Sequence, residues 1–384
     1  MSPLGTLGQA ETDASGGADD TRASQGAERI RAQVWLGGDR FELQEFEAPE
    51  LAPGEALVAV DLATVCGSDV HTVTGRRPGA HPSILGHEAV GRVVATHPEA
   101  PTYVDGRVVA VGDRLVWGVT AACGACDRCA AGRTAKCRHL LKTGHEPLDG
   151  PWALSGGYAS HLVLRPGLAL VPVPEVVPDG PAAMAACALA TVMACLDARV
   201  AGELAGRRVL VVGAGMLGLC ACAVAAQAGA ASVAVLDPAS ERVEQAHRYG
   251  ADRSWGATDS APSAPSPDTS ADALVDVAVE LSGHPAGVAA AVDALDIGGR
   301  AVLAGSVAPT PAQAFDPERI VRRHLSLIGV HNYEPRHLQE AIDFLAGPGA
   351  GYPWGDLIAE PTPLDALPHG MLATGTVLRR SVTP

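Results

Sequence analysis

The stretch "RRVLVVGAGMLGLCACAVAAQAGAASVAVLD", residues 207–237, constrains this chain more than any other part of it. An apolar β-branched run is followed by a glycine-rich turn, an Ala-rich segment of helical length, and a second apolar run ending in an acid. Strands that read as continuous apolar runs are buried on both faces, and joining two of them through a helix makes them parallel. This is the start of a doubly wound α/β unit. Gly213, Gly215 and Gly218 stand in G-x-G-x-x-G spacing, with Met216 and Leu217 carrying the turn into the helix. The first glycine permits the tight turn, the second lets backbone approach a pyrophosphate, and the third lets helix and strand pack closely. A plain βαβ unit with a packing glycine can show the same hexapeptide. Here the second strand ends in Asp237, placed to accept hydrogen bonds from both ribose hydroxyls of NAD and to repel a 2′-phosphate. Arg242 lies close enough to weaken that charge argument.

Further buried strands, "ALVDVAVELSG" and "RAVLAGSV", continue the α/β pattern, and "GATDSAPSAPSPDTSAD" between them reads as a mobile surface loop. Upstream the texture differs. From about Ile30 to about Pro174, short Val-rich runs such as "EALVAVDLATV" and "RVVAVGDRLVWGV" alternate with Gly and Pro breaks, the pattern of a mostly β domain. "PAAMAACALATVMACLDARV" then reads as one long helix. A chain of 384 residues suggests two domains. With 47% hydrophobic but only 4% aromatic residues, the core must be built from Ala, Val and Leu.

The formal charge of −15 argues against nucleic acid and anionic membranes as partners. No run reaches the ~18 uninterrupted apolar residues of a membrane span. Residues 1–28 lack the basic start and apolar run of a secretory signal and read as a disordered acidic tail, which points to the cytoplasm.

In a reducing compartment, clustered cysteines are more often metal ligands or catalysts than disulfides. Cys123, Cys126, Cys129 and Cys137 follow C-x2-C-x2-C-x7-C, so four thiolates can close a tetrahedral shell around zinc. Iron–sulfur ligation and two disulfides compete with this. The bacterial ferredoxin run has three residues before its last cysteine and then proline, whereas here there are seven and then Arg138. A closed shell leaves no position for substrate, so this zinc is expected to be structural. Two further fragments, "VCGSDVH" and "GHEAVG", hold Cys66 and His87. Taken alone, these read as a small buried hydrophobe and a satisfied polar residue.

In their order along the chain, "CGSDVH", "GHEAVGRV", the four-cysteine lobe and "VLVVGAGMLG" resemble the zinc-dependent alcohol dehydrogenases of the medium-chain dehydrogenase/reductase superfamily. The likeness runs from about Ile30 to the C-terminus. It implies a GroES-like β domain over residues 29–188 and 333–384, with the zinc lobe near 120–140, and a Rossmann domain over 189–332. By position it implies Cys66, His87 and Cys187 as ligands of a catalytic zinc, two zinc ions per chain, and NAD as cofactor. Asp69 would orient the histidine, Glu88 would lie beside the metal, and Thr191 near the nicotinamide. Ser68 and His71 would relay a proton, and Arg379 would contact the cofactor's pyrophosphate. Gly67 stands where several relatives carry a basic residue at that pyrophosphate. The implied chemistry is loss of a proton from a metal-held hydroxyl, then hydride transfer from the alkoxide to the nicotinamide. A homo-oligomer is implied as well. Cys195, Cys220 and Cys222 read as core residues.

"KTGHEPL", "SGGYASH" and "GVHNY" are similar to cyclitol dehydrogenases of aminocyclitol pathways and to phosphonate-associated alcohol dehydrogenases. A polyol would want Ser68, His145, His331 and Asn332 in the cleft. A phosphonate would want Arg76, Arg77, Lys142 or His139 converging. The polyol is the favoured expectation; a simple alcohol is a further alternative. An NAD-binding scaffold with lapsed activity would have lost at least one of Cys66, His87 and Cys187, and a zinc-free quinone reductase would lack the four-cysteine lobe.

Overall fold

The computed structural model describes residues 29–255, 274–371 and 377–384. The expected N-terminal tail and low-complexity loop lie outside these residues.

Six strands form one parallel sheet. Their order is Arg253–Trp255, Ser232–Leu236, Arg208–Val212, Val275–Glu280, Leu295–Leu303 and Ser326–Gly329. Strand order reverses beside Arg208–Val212, the switch point at which such sheets open a crevice at the carboxyl ends of their strands. The helix Met216–Gln227 follows that strand and has no polar face; nine of its residues are buried, Met216, Gly218 to Val224 and Ala225 among them. A helix apolar all round must be covered all round.

The rest of the chain is mainly antiparallel sheet. Ala56–Val65 lies at its centre, pairing with Glu88–Thr96, His161–Leu164 and the C-terminal Arg380–Thr383. Register matters here: Thr64 faces Glu88, and Arg380 faces Val65. The last residues of the chain are therefore carried to the point where Cys66 leaves its strand.

The Ala-rich text does not form one uniform helix. Asp179–Met184 is α-helical, Ala185–Leu189 widens into a π turn, and Ala190–Leu196 resumes the α-helix. The extra residue of a π turn is seldom retained without a use. Asp179–Leu196 is long and apolar enough by composition to cross a membrane, yet 78% of it is buried inside the protein. Its alanines let it approach both the β-rich part and the parallel sheet, and one core cluster runs from Leu62 and Val90 through Ala182–Leu189 to Val209 and Leu219. Each Val or Leu closed into that core contributes about 1.5–3 kcal/mol. Cys195, Cys220 and Cys222 are fully buried in it.

Candidate metal centre and cofactor cleft

A single cleft is lined by residues from both parts of the chain. Cys66, Gly67, Ser68, His71 and His87 come from the β-rich part, Cys187 and Thr191 from the interrupted helix, and Gly215, Met216 and Leu217 from the glycine turn. Its volume of about 280 Å³ has to serve a nicotinamide and a substrate together, which favours a small substrate.

The cluster at its base is built by short-range geometry. Cys66 ends a strand and caps the helix Gly67–Val73, and its N–H donates to Asp69 Oδ2 at 3.0 Å. Tyr158 donates its hydroxyl to the same oxygen at 2.9 Å. The other carboxylate oxygen lies 3.2 Å from His87 Nδ1, a close approach that misses hydrogen-bond angles. Asp69 is thereby fixed on two sides and faces the imidazole. With the proton of His87 on Nδ1, the lone pair of Nε2 is free for a metal, the usual task of a buried carboxylate beside a ligating histidine. Ser68 Oγ stands 3.3 Å from that Nε2.

Donor atoms of Cys66, His87, Glu88 and Cys187 all lie within 4.8 Å of one another. Cys187 is the least buried, so the cluster opens to the cleft on its side. A hydrogen bond from Cys187 holds the Cys66 thiol well below its ordinary range, burial opposes this, and Arg379 and His87 add to the lowering. The proton shared by the two sulfurs is the one a divalent metal would displace. Glu88 is fully buried and points at Arg379, whose Nε donates to Oε2 at 2.9 Å and Nη2 to Oε1 at 3.2 Å. Thr64 donates to Oε2 at 2.7 Å. Burial pushes the Glu88 carboxyl up to about 7 against the pull of Arg379. Two thiols, one imidazole and an open side fit zinc in a substrate-accessible site.

The second cluster fits a closed shell. Tetrahedral zinc with bonds of about 2.3 Å places sulfurs about 3.8 Å apart. Cys126 Sγ lies 3.5 Å from Cys129 Sγ and 3.8 Å from Cys137 Sγ. All four sulfurs of Cys123, Cys126, Cys129 and Cys137 are within 4.8 Å of one another, and all nine cysteines are free thiols. Backbone N–H groups of Cys123 and His139 point at Cys137 Sγ. Those of Arg138 and Cys129 hold the Cys126 thiol down to about 6. The lobe is tied to the rest by Glu334, whose carboxylate accepts from the Thr134 and Ala135 N–H groups and the Thr134 hydroxyl.

The glycine turn fits a dinucleotide. Gly213 has φ +98, and a Cβ on Gly218 would fall 1.8 Å from Gly213 O. At Gly215 a Cβ would meet nothing within 4 Å, so the second glycine keeps volume open. Asp237 is buried and joins the turn to the second strand, accepting from Ala214 N–H at 2.8 Å and Ala239 N–H at 2.9 Å. Arg242 is exposed on the following helix. His71 lines the cleft, and its Nδ1 is buried without a partner among the described residues, an orphaned group that a ribose hydroxyl would satisfy. Arg379 lines the same cleft with its guanidinium engaged by Glu88.

Of the two substrate-side sets, Ser68, His145, His331 and Asn332 all line the cleft, and so do Arg77 and Lys142. Arg76 and His139 are exposed away from it. Thr64, Tyr158 and Glu334 carry no sequence signal for the roles their contacts give them.

Residues 52–175 match the family description "Alcohol dehydrogenase GroES-like domain", and residues 217–347 match "Zinc-binding dehydrogenase". The chain is 30% identical over 296 residues to an L-threonine 3-dehydrogenase of Aeromonas hydrophila, covering 76% of this chain and 81% of the relative. It is 30% identical over 343 residues to a 5-exo-hydroxycamphor dehydrogenase of Pseudomonas putida, covering 87% and 92%. A solved structure of a zinc-binding dehydrogenase from Sinorhizobium meliloti 1021, bound to NADP, superposes with a TM-score of 0.81 at 25% identity over 93% of this chain and 100% of that one. Two cysteine-rich clusters of the right donor sets, a glycine turn at a sheet switch point, and these likenesses over most of the chain agree on one family. The protein is an oxidoreductase that belongs to the zinc-binding alcohol dehydrogenases of the medium-chain dehydrogenase/reductase superfamily.

Proposed function

We propose that the protein transfers hydride between a secondary alcohol and NAD, with a cyclitol or similar polyol as the alcohol. The observation that carries this reading is the convergence of Cys66, His87 and Cys187 in the cleft that Gly215 also lines. Those three residues would hold zinc, which would supply Lewis acidity at a hydroxyl, and the glycine turn would hold NAD, which would supply the hydride acceptor.

The chain's own residues do the rest. Asp69 fixes the histidine ligand, and Ser68 stands beside it to take the hydroxyl proton. His71, one helical turn on from Ser68, passes that proton outward. Burial first and then the nearby Arg76 hold His71 below its ordinary pKa, which keeps it neutral and ready to accept. Burial lowers His145 to about 4, so it enters the reaction as a neutral hydrogen-bonding group. Ser68, His145, His331 and Asn332 suit a hydroxylated ring better than an apolar alcohol.

The test is an NADH-formation screen across cyclitols, polyols, simple secondary alcohols and hydroxyalkylphosphonates, run on protein with measured zinc content. Two zinc ions per chain and turnover of at least one polyol are expected. Active protein with a single zinc, or turnover confined to apolar alcohols, would refute the reading.

Cofactor choice is separable. Asp237→Ala removes the acid expected at the ribose hydroxyls and loosens the turn at Ala214. A loss of about 1.5–3 kcal/mol from a charged hydrogen bond corresponds to a roughly tenfold to hundredfold fall in NAD over NADP preference. Steady-state kinetics with both cofactors measure it, and an unmoved ratio removes Asp237 as the selector.

A further inference from the structure

We propose that the alcohol oxidised here carries an oxyanion (a phosphonate, phosphate or carboxylate) seated by Arg77 and Lys142, with Lys136, His331 and Asn332 completing the seat. This rests on reading the cleft as the dehydrogenase site, and adds to it the charge of the substrate.

Arg77 and Lys142 both line the cleft, as do His331 and Asn332. Lys136 reaches the same place from the cysteine lobe, its Nζ donating to His331 Nδ1 at 2.7 Å. With Nδ1 accepting, His331 carries its proton on Nε2 and becomes a further donor. Asn332 Nδ2 is buried and has no partner among the described residues. Its backbone φ of +60 is a conformation that asparagine tolerates better than most residues. Each of these side chains therefore offers the seat a donor, and three of them are cations.

Compensation among the described residues is indirect: Glu334 acts on Lys136 and Glu146 on Lys142, neither within ion-pair distance. Among the described residues, none of Arg77, Lys136 and Lys142 forms an ion pair with a carboxylate. The nearby Glu146 accepts the backbone N–H of Lys142 at 2.8 Å, and Glu334 is engaged by Thr134 and Ala135. Three cations set close together, Lys136 exposed and Arg77 and Lys142 half-buried, repel one another and favour an anion between them. The strain registers in the groups themselves. Burial, Arg77 and Lys136 hold the Lys142 ammonium below its ordinary pKa, and partial burial with Lys136, Lys142 and Arg77 pushes His331 down to about 4.

The seat lies on other elements than the glycine turn expected to hold the cofactor's phosphates. Those are expected at Gly213–Gly218, and the adenosine ribose at Asp237. Arg77 follows the helix Gly67–Val73, Lys142 lies on the strand Leu141–Lys142, and His331 and Asn332 follow the strand Ser326–Gly329. None belongs to the turn–helix–strand unit that would hold the dinucleotide. A neutral polyol could use the hydroxyl-binding groups alone but leaves the cations unpaired.

Three small alcohols of similar length separate the cases: 2-hydroxypropylphosphonate, 3-hydroxybutyrate and butane-1,3-diol. With zinc-loaded full-length protein and NAD, kcat/KM for at least one anionic alcohol is expected to exceed that for the diol about tenfold to a hundredfold. The anion that wins identifies whether the seat takes a phosphonate or a carboxylate. In Arg77→Gln and in Lys142→Met, that ratio should fall toward one. A second readout needs no turnover: at constant ionic strength, methylphosphonate or acetate should raise the melting temperature of the native protein more than that of either variant. A native ratio of one or less, or a ratio that neither variant moves, overturns the proposal. If no alcohol in the wider screen is oxidised, the dehydrogenase reading falls instead. The melting shifts then decide the anion seat, and equal shifts in native protein and variants overturn it.

Discussion

Cys66→Ala is expected to lower kcat about a thousandfold or more while leaving the protein folded, with one zinc per chain in place of two. The size follows from the several kcal/mol of charge stabilisation that a Lewis-acidic metal provides, at about 1.4 kcal/mol per tenfold in rate. Cys66 sits at a strand end within hydrogen-bond reach of Asp69 and close to Cys187 and Arg379. Replacing it removes a ligand and leaves Glu88 and Arg379 paired, so the sheet that carries them has little reason to open. Metal analysis by mass spectrometry, circular dichroism and single-turnover NADH formation check the three parts. A variant that keeps both zinc ions, or that keeps one with native turnover, would show that the cluster at the cleft base is not the reactive centre.

Cys126→Ala should have the opposite profile: marked loss of stability, with damage to turnover that is indirect. The lobe has almost no apolar core of its own, since Ala135 and Cys137 are its buried side chains. Its order depends on the four sulfurs and on Glu334. Losing the shell should cost a substantial part of the metal's folding free energy, seen as a clear fall in melting temperature. The consequences extend beyond the lobe. Glu334 caps the helix Pro335–Ala346 while holding Thr134 and Ala135, and Lys136 reaches His331 at the cleft. A frayed lobe therefore also raises KM through the cleft rim. Calorimetry on the zinc-loaded variant measures the first effect, and equal loss of melting temperature in Cys66→Ala and Cys126→Ala would contradict the separation of roles.

Much of this architecture was legible from local text. The glycine turn, its following helix and Asp237 occupy one continuous stretch, and the four lobe cysteines fall within fifteen residues. The grouping of Cys66, His87 and Cys187 was legible only through a family likeness, because donors scattered over three elements have no spacing of their own. The residues that support them were not legible. Tyr158 reaches Asp69 across 89 positions, and Glu334 reaches Thr134 across 200. Such contacts are set by sheet register and by the return of the chain. The opposition of Thr64 and Glu88, which makes a buried acid tolerable, is likewise a fact about two strands and belongs to neither sequence alone.

The interruption at Ala185–Leu189 has a consequence for how this site can change. A helix advances about 100° per residue, so one residue too many shifts the angular phase of all that follows it. Deleting any one alanine there would restore a regular helix and keep every ligand, yet Cys187 and Thr191 could no longer face the cleft together while both helical halves kept their packing. The frame of that segment is as much a determinant of the centre as the thiol it carries. Insertions and deletions there would act with the severity of losing a ligand, though a residue-by-residue comparison would score them as mild.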